Sequence, residues 1–241
     1  MRRAFFIALL ASVLGSSGPA LAGDQTPVPN FARELSSLRL TLIPACARIR
    51  TDTSAAAGAQ LSIVLDSIIE RWQGISARYR DVPPPEYARD PAWTDYLDEA
   101  LENFRLMRDR TAAGHRKEAA RFCGLNCNLF VTMNQVNGID RAADRMFLLR
   151  RNVRSVMAMV KAGNMAGASQ ACDETERLAN RLVACDPPPG VKAGDFSANI
   201  ALVLKPYRQF ADAVRAADGT GAARSFDEFN KVFASIYVKY V

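Results

Sequence analysis

Sulfur is the most reactive element of this chain. Five cysteines, Cys46, Cys123, Cys127, Cys172 and Cys185, accompany a single histidine, His115. Thiolates can pair as disulfides, hold soft metals or attack electrophiles, and each use needs its own spacing. Cys123 and Cys127 are four residues apart, which puts both sulfurs on one helix face with Cα atoms about 6 Å apart. The helix directs the two side chains in parallel, so a bond between them would be strained. Cys172 and Cys185 fall on one predicted helix, about 20 Å apart along its axis, and cannot meet while it is intact. The odd count leaves at least one cysteine outside any intramolecular bridge.

Other chemistry is restricted by what is missing. With one histidine, a Ser-His-Asp or Cys-His arrangement would need His115 to meet a nucleophile across the fold, and no spacing points to it. There is no glycine-rich phosphate loop, no HExxH and no C-x-x-C redox pair. Asp95, Asp98, Glu99 and Glu102 share a helix but lack the E-x-x-H partners of a two-metal site, and they read as a solvated face. Cys123 and Cys127 with Met133, Met157, Met159 and Met165 form a soft donor set of the kind copper(I) selects. Most of these methionines occupy apolar positions, where a flexible side chain fills space. Zinc needs four nitrogen or sulfur ligands, and the local set stops at two. An enzyme is not expected.

The elements that must position these residues are helices. Leu61, Val64, Leu65, Ile68, Trp72, Ile75 and Tyr79 recur at threes and fours, as do Phe226, Phe229, Val232, Phe233 and Ile236. No stretch alternates as a half-buried strand does. Eight helical segments are predicted, over 30–51, 57–81, 92–112, 115–136, 140–161, 164–185, 195–217 and 224–239. Asp140 and Asp195 are expected to cap the fifth and seventh, and Ser225 with Glu228 to form a capping box on the eighth. Pro44 and Pro206 fall inside helical patterns and predict kinks or shorter elements.

The segments repeat. A shift of 104 residues lays Pro83-Pro84-Pro85 on Pro187-Pro188-Pro189, Arg50 on Arg154, Leu42 on Met146 and Leu129 on Phe233. Amphipathic helices with short connections bury their apolar faces as antiparallel bundles. The expected fold is all-α, two tandem four-helix bundles spanning 23–138 and 139–241 and sharing an interface. Up-down topology sets the first helix beside the fourth, so Cys46 is expected to bond either Cys123 or Cys127.

Residues 1–22 have the layout of a signal peptide: Arg2-Arg3, an apolar run from Ala4, then Pro19-Ala20-Leu21-Ala22. The apolar run is too short to span a bilayer comfortably. Export to a periplasm or beyond is expected, with no membrane span in the mature chain. Removing Arg2 and Arg3 lowers the net charge from +6 to +4. The basic residues are dispersed among acids, against a nucleic-acid binder. The densest group, Arg141, Arg145, Arg150, Arg151 and Arg154, reads as a solvated helix face, with a patch for an anionic partner as the alternative.

From Pro83 to Met133 the chain resembles the cytochrome c-prime family of four-helix haem proteins. A proline-containing loop leads to a helix with Trp93, a small-residue turn follows at Ala113-Gly114, and Cys123 and Cys127 stand roughly where that family carries C-x-x-C-H. Here three residues separate the cysteines and Asn128 replaces the histidine. The resemblance implies a shared bundle shape and a haem tether that has been lost. Two functions follow. The first is an exported, non-enzymatic bundle with a small-ligand, protein-partner or structural role and no cofactor, compatible with a homo-oligomer. The alternative is a haem or metal protein that uses Cys123 and Cys127 in unusual ligation.

Overall fold

The computed structural model describes residues 30–52, 54–188 and 190–240. The signal-peptide reading of residues 1–22 lies outside them. The described chain folds into eight α-helices and one short 3-10 turn, with no strand among the described residues. The helices are α1 (Phe31–Thr51), α2 (Ala55–Tyr79), α3 (Trp93–Ala112), α4 (Arg116–Val136), α5 (Ala142–Lys161), α6 (Met165–Val183), α7 (Ala193–Arg215) and α8 (Gly219–Tyr237). The 3-10 turn, Pro85–Tyr87, lies in the first proline loop, where missing amides prevent the helix from continuing.

Each group of four helices closes on itself. In sequence order each helix packs on the next, and α4 returns to α1 as α8 returns to α5. Two clusters of buried apolar side chains fill the rings. In the first, Trp72 contacts Phe104 and Phe130, with ring centroids 6.0 and 5.4 Å away. Phe31 packs against Tyr79, Tyr87 and Trp93 at the end near the proline loop. Tyr87 and Trp93 thus seal the bundle, and both are buried. Their polar atoms are satisfied: Trp93 Nε1 donates to the Tyr79 carbonyl at 2.7 Å, and Trp72 Nε1 to the Leu97 carbonyl at 2.9 Å. Fully burying one large apolar side chain stabilises by about 1.5–3 kcal/mol, so these aromatics weigh heavily in the first core.

Several local expectations change. The α8 helix begins at Gly219, because Asp218 accepts from the Gly221 amide at 2.8 Å and caps the helix there. Ser225 and Glu228 lie inside it, so the two glycines do not break the helix. Asp140 does not cap α5 but pairs with Arg145, and Asp195 sits in the first turn of α7 after Lys192 at the N-cap. Both α1 and α7 run through their prolines. The helix starts move from 31 to 142, 55 to 165, 93 to 193 and 116 to 219, so no single offset relates the halves.

The halves meet through buried polar groups. Arg39 on α1 donates to Asp144 Oδ1 on α5 at 3.0 Å and to the Tyr237 hydroxyl on α8 at 2.9 Å. Asn134 on α4 donates to Asp144 Oδ2 at 2.6 Å and accepts from the Tyr87 hydroxyl at 2.5 Å. Arg39 and Asp144 are only 2% and 3% exposed, so neither charge has water as an alternative partner. Asp144 also lies in the first turn of α5, where the helix dipole favours a carboxylate. From Phe31 onward the chain forms one compact unit.

Candidate functional site

Two seams face each other, α1 against α4 and α5 against α8. A cavity of about 560 Å3 lies between them, lined among the described residues by these four helices and by Val238 at the C-cap of α8. Each seam presents the same spacing. Residues 43, 46, 47 and 50 of α1 line one wall, and 147, 150, 151 and 154 of α5, each 104 further on, line another. Residues 123, 124, 127 and 128 of α4 correspond to 233, 234, 237 and 238 of α8, each 110 further on. Spacings of three, four and seven select one helix face.

Chemistry differs at corresponding positions. In the first seam a disulfide joins Cys46 to Cys123, with Cα atoms 5.9 Å apart. The corresponding residues of the second seam are Arg150 and Phe233, and the Arg150 guanidinium lies over the Phe233 ring at 5.1 Å. Cys127 corresponds to Tyr237, whose hydroxyl is held by Arg39 at the root of the buried network. Gly124 opens the wall: a Cβ at this position would meet nothing within 4 Å.

The cavity is apolar with a cationic rim. Ile43, Ala47, Phe147, Phe233 and Val238 supply carbon surface, while Arg50, Arg150, Arg151 and Arg154 supply charge. Among the described residues no Asp or Glu lines it. Burial, with the nearby Arg154 and Arg50 cations, pushes the Arg150 guanidinium down to about 10. It remains charged at neutral pH, in surroundings that resist the charge. Burial and Arg50 lower Arg154 likewise. The Arg150 Nε is buried and has no acceptor, whereas Arg151 donates to Asn128 Oδ1 at 2.7 Å. The arginines expected as one solvated face are therefore divided. Arg145 pairs with Asp140, while Arg150, Arg151 and Arg154 turn toward the cavity.

The structure places the other sulfurs and His115 elsewhere. Cys127 keeps a free thiol in the cavity wall, and burial pushes it up against the opposing pull of Arg39, Arg50 and Arg150. Cys172 is buried on α6, Cys185 lies beyond that helix, and both are free. His115 is exposed at the N-cap of α4 and does not reach the cavity. The donor set does not fit a doubly tethered haem. Cys123 is tied to Cys46, leaving one thiol, and among the described residues neither histidine nor methionine lines the cavity. Among the described residues no group of three or more His, Cys, Asp or Glu could hold a metal. No described helix is long and apolar enough to cross a membrane.

Sequence reasoning picked out Cys46, Cys123, Cys127 and the arginine run, but as separate features. It missed Phe147, Phe233 and Tyr237 as cavity residues. The match of Arg50 with Arg154 was the available signal, since both end on the cavity, one on each of two walls. Comparison with models of protein families, with curated proteins and with solved structures finds no match to this chain.

Proposed function

We propose that this is an exported, non-enzymatic binding protein that holds a small ligand between its two bundles. The cavity carries this reading. Its size falls within the roughly 300–1,000 Å3 common for ligand pockets, and its apolar walls meet a few convergent charged groups. A scaffold needs no such space between its halves. The Cys46–Cys123 bond is compatible with an oxidising compartment, which agrees with the leader read in residues 1–22.

Native mass spectrometry of the protein purified from its own cell envelope tests the proposal. The expected result is a mass excess that disappears on denaturation and is reduced in Gly124→Phe, which fills the wall. The helix interior tolerates that change, since any ordinary side chain is a better helix former than glycine. Failure to find a bound molecule, with no compound from a diverse library raising the unfolding temperature, would overturn the reading. A Soret band in the purified protein would replace it with the haem alternative.

A further inference from the structure

We propose that the cavity takes an amphipathic anion, with its acidic head held by Arg50, Arg150 and Arg154 and its apolar body against Ile43, Phe147 and Phe233. This rests on the ligand-binding reading and names the class of ligand.

Three cations that converge on one apolar cavity carry the argument. Arg39 faces Asp144, Arg78 faces Glu34, Arg80 faces Asp98 and Arg215 faces Asp173, while Arg108, Arg110 and Arg145 each reach a carboxylate too. Other arginines also have no carboxylate partner, but Arg50, Arg150 and Arg154 are set apart by converging on one apolar cavity. Among the described residues no carboxylate lies within ion-pair distance of any of the three, and Arg50 and Arg154 both oppose the charge on Arg150. Like charges gathered beside carbon surface raise the energy of the empty site, and an incoming anion relieves it. Guanidinium forks match carboxylate and phosphate oxygens equally well, and the buried, unpaired Arg150 Nε supplies a donor.

The rest of the wall excludes a bare ion. Phe147 and Phe233 come from the second bundle and Ile43 from the first, so a body between them removes apolar surface of both halves from water. Cys127 adds a neutral thiol to that wall, since burial holds its proton on.

Calorimetric titration of the full mature chain with dodecanoate, dodecyl phosphate, dodecanol and inorganic phosphate tests this. Both amphipathic anions should bind, dodecanol at least about tenfold more weakly, as expected for losing one charged hydrogen-bonding head. Inorganic phosphate should give no heat. Lengthening the carboxylate should tighten binding by about fourfold per methylene. Arg150→Gln and Arg154→Gln should each weaken dodecanoate about tenfold and leave dodecanol unchanged, with circular dichroism confirming the fold. Equal affinity for dodecanol and dodecanoate would overturn the anion assignment and leave the ligand-binding reading standing. Binding of inorganic phosphate as tight as that of dodecyl phosphate would overturn the apolar body. If no probe binds, this proposal falls, and the native mass spectrum decides separately whether the ligand-binding reading falls with it.

Discussion

The two seams that flank the cavity use one residue spacing and opposite chemistry. Across α1 and α4 the contact is covalent, between Cys46 and Cys123. Across α5 and α8 it is a cation over an aromatic face, Arg150 on Phe233. At these corresponding positions the first seam has a covalent bond, while the second has a charge that no carboxylate among the described residues pairs with. Their cores differ in the same sense. The first holds both tryptophans, each with its indole N–H bonded to a backbone carbonyl. The second is filled by phenylalanine and tyrosine, with Phe229, Phe233 and Tyr237 in a row along α8. One bundle thus carries a covalent clamp at this seam, and the other a cation stacked on an aromatic ring.

The strongest way to break this comparison is to cut the link between the seams. Asp144→Ala strands Arg39 as an unpaired buried charge and takes an acceptor from Asn134. Urea unfolding should show a loss of about 3–5 kcal/mol. A loss below about 1 kcal/mol would mean that the halves are held by apolar contact alone.

Removing the covalent seam comes next. The Cys46–Cys123 bond closes a separation of 77 residues, and Cys46→Ala with Cys123→Ala should cost about 2–4 kcal/mol. Hydrogen exchange should rise in α1 and α4 and stay unchanged in α6 and α7. A uniform rise would show that the two halves unfold together and that the contrast between seams has no energetic meaning. Non-reducing peptide mapping should recover Cys46 linked to Cys123, with Cys127 free.

Arg150→Met sharpens the contrast from the other side. Folding lowers the proton affinity of Arg150 below its unfolded value, so keeping the charge costs stability at every pH below the folded value of about 10. Replacing it with an apolar side chain should stabilise the ligand-free protein by about 1–2 kcal/mol in thermal unfolding. A destabilised variant would show that the stacking on Phe233 outweighs the unbalanced charge.

The smallest effect concerns Cys127. Its thiol holds its proton more tightly folded than unfolded, so the stability it contributes is complete below its ordinary value of 9.0 and is lost as pH rises through the folded one. Alkylation by iodoacetamide should therefore be slower in folded protein than in urea at pH 9. Equal rates would show an open, solvated thiol.

The sequence by itself determined the helices. Apolar residues at threes and fours fix which face is buried, as along Leu61 to Tyr79, and proline-rich loops fix where the chain turns. It also brought Cys46 to the α4 cysteines, because adjacent antiparallel helices follow from short connections. It did not choose between Cys123 and Cys127. Both occupy one face a single turn apart, and the choice depends on helix rotation, which packing sets. The start of α8 was placed too late because Ser225 with Glu228 spells a capping box, while the Asp218 cap acts through a hydrogen bond that composition does not display.

Only the tertiary structure decided the cavity. An arginine at helical spacing reads alike whether its face meets water or another bundle, so Arg150 looked like a solvated residue. The way the second four helices pack on the first determines what they face. That packing is fixed by Arg39 reaching Asp144 and Tyr237 across 105 and 198 residues of chain. Local periodicity describes one helix at a time, whereas a site built from four helices depends on contacts that no window of sequence contains.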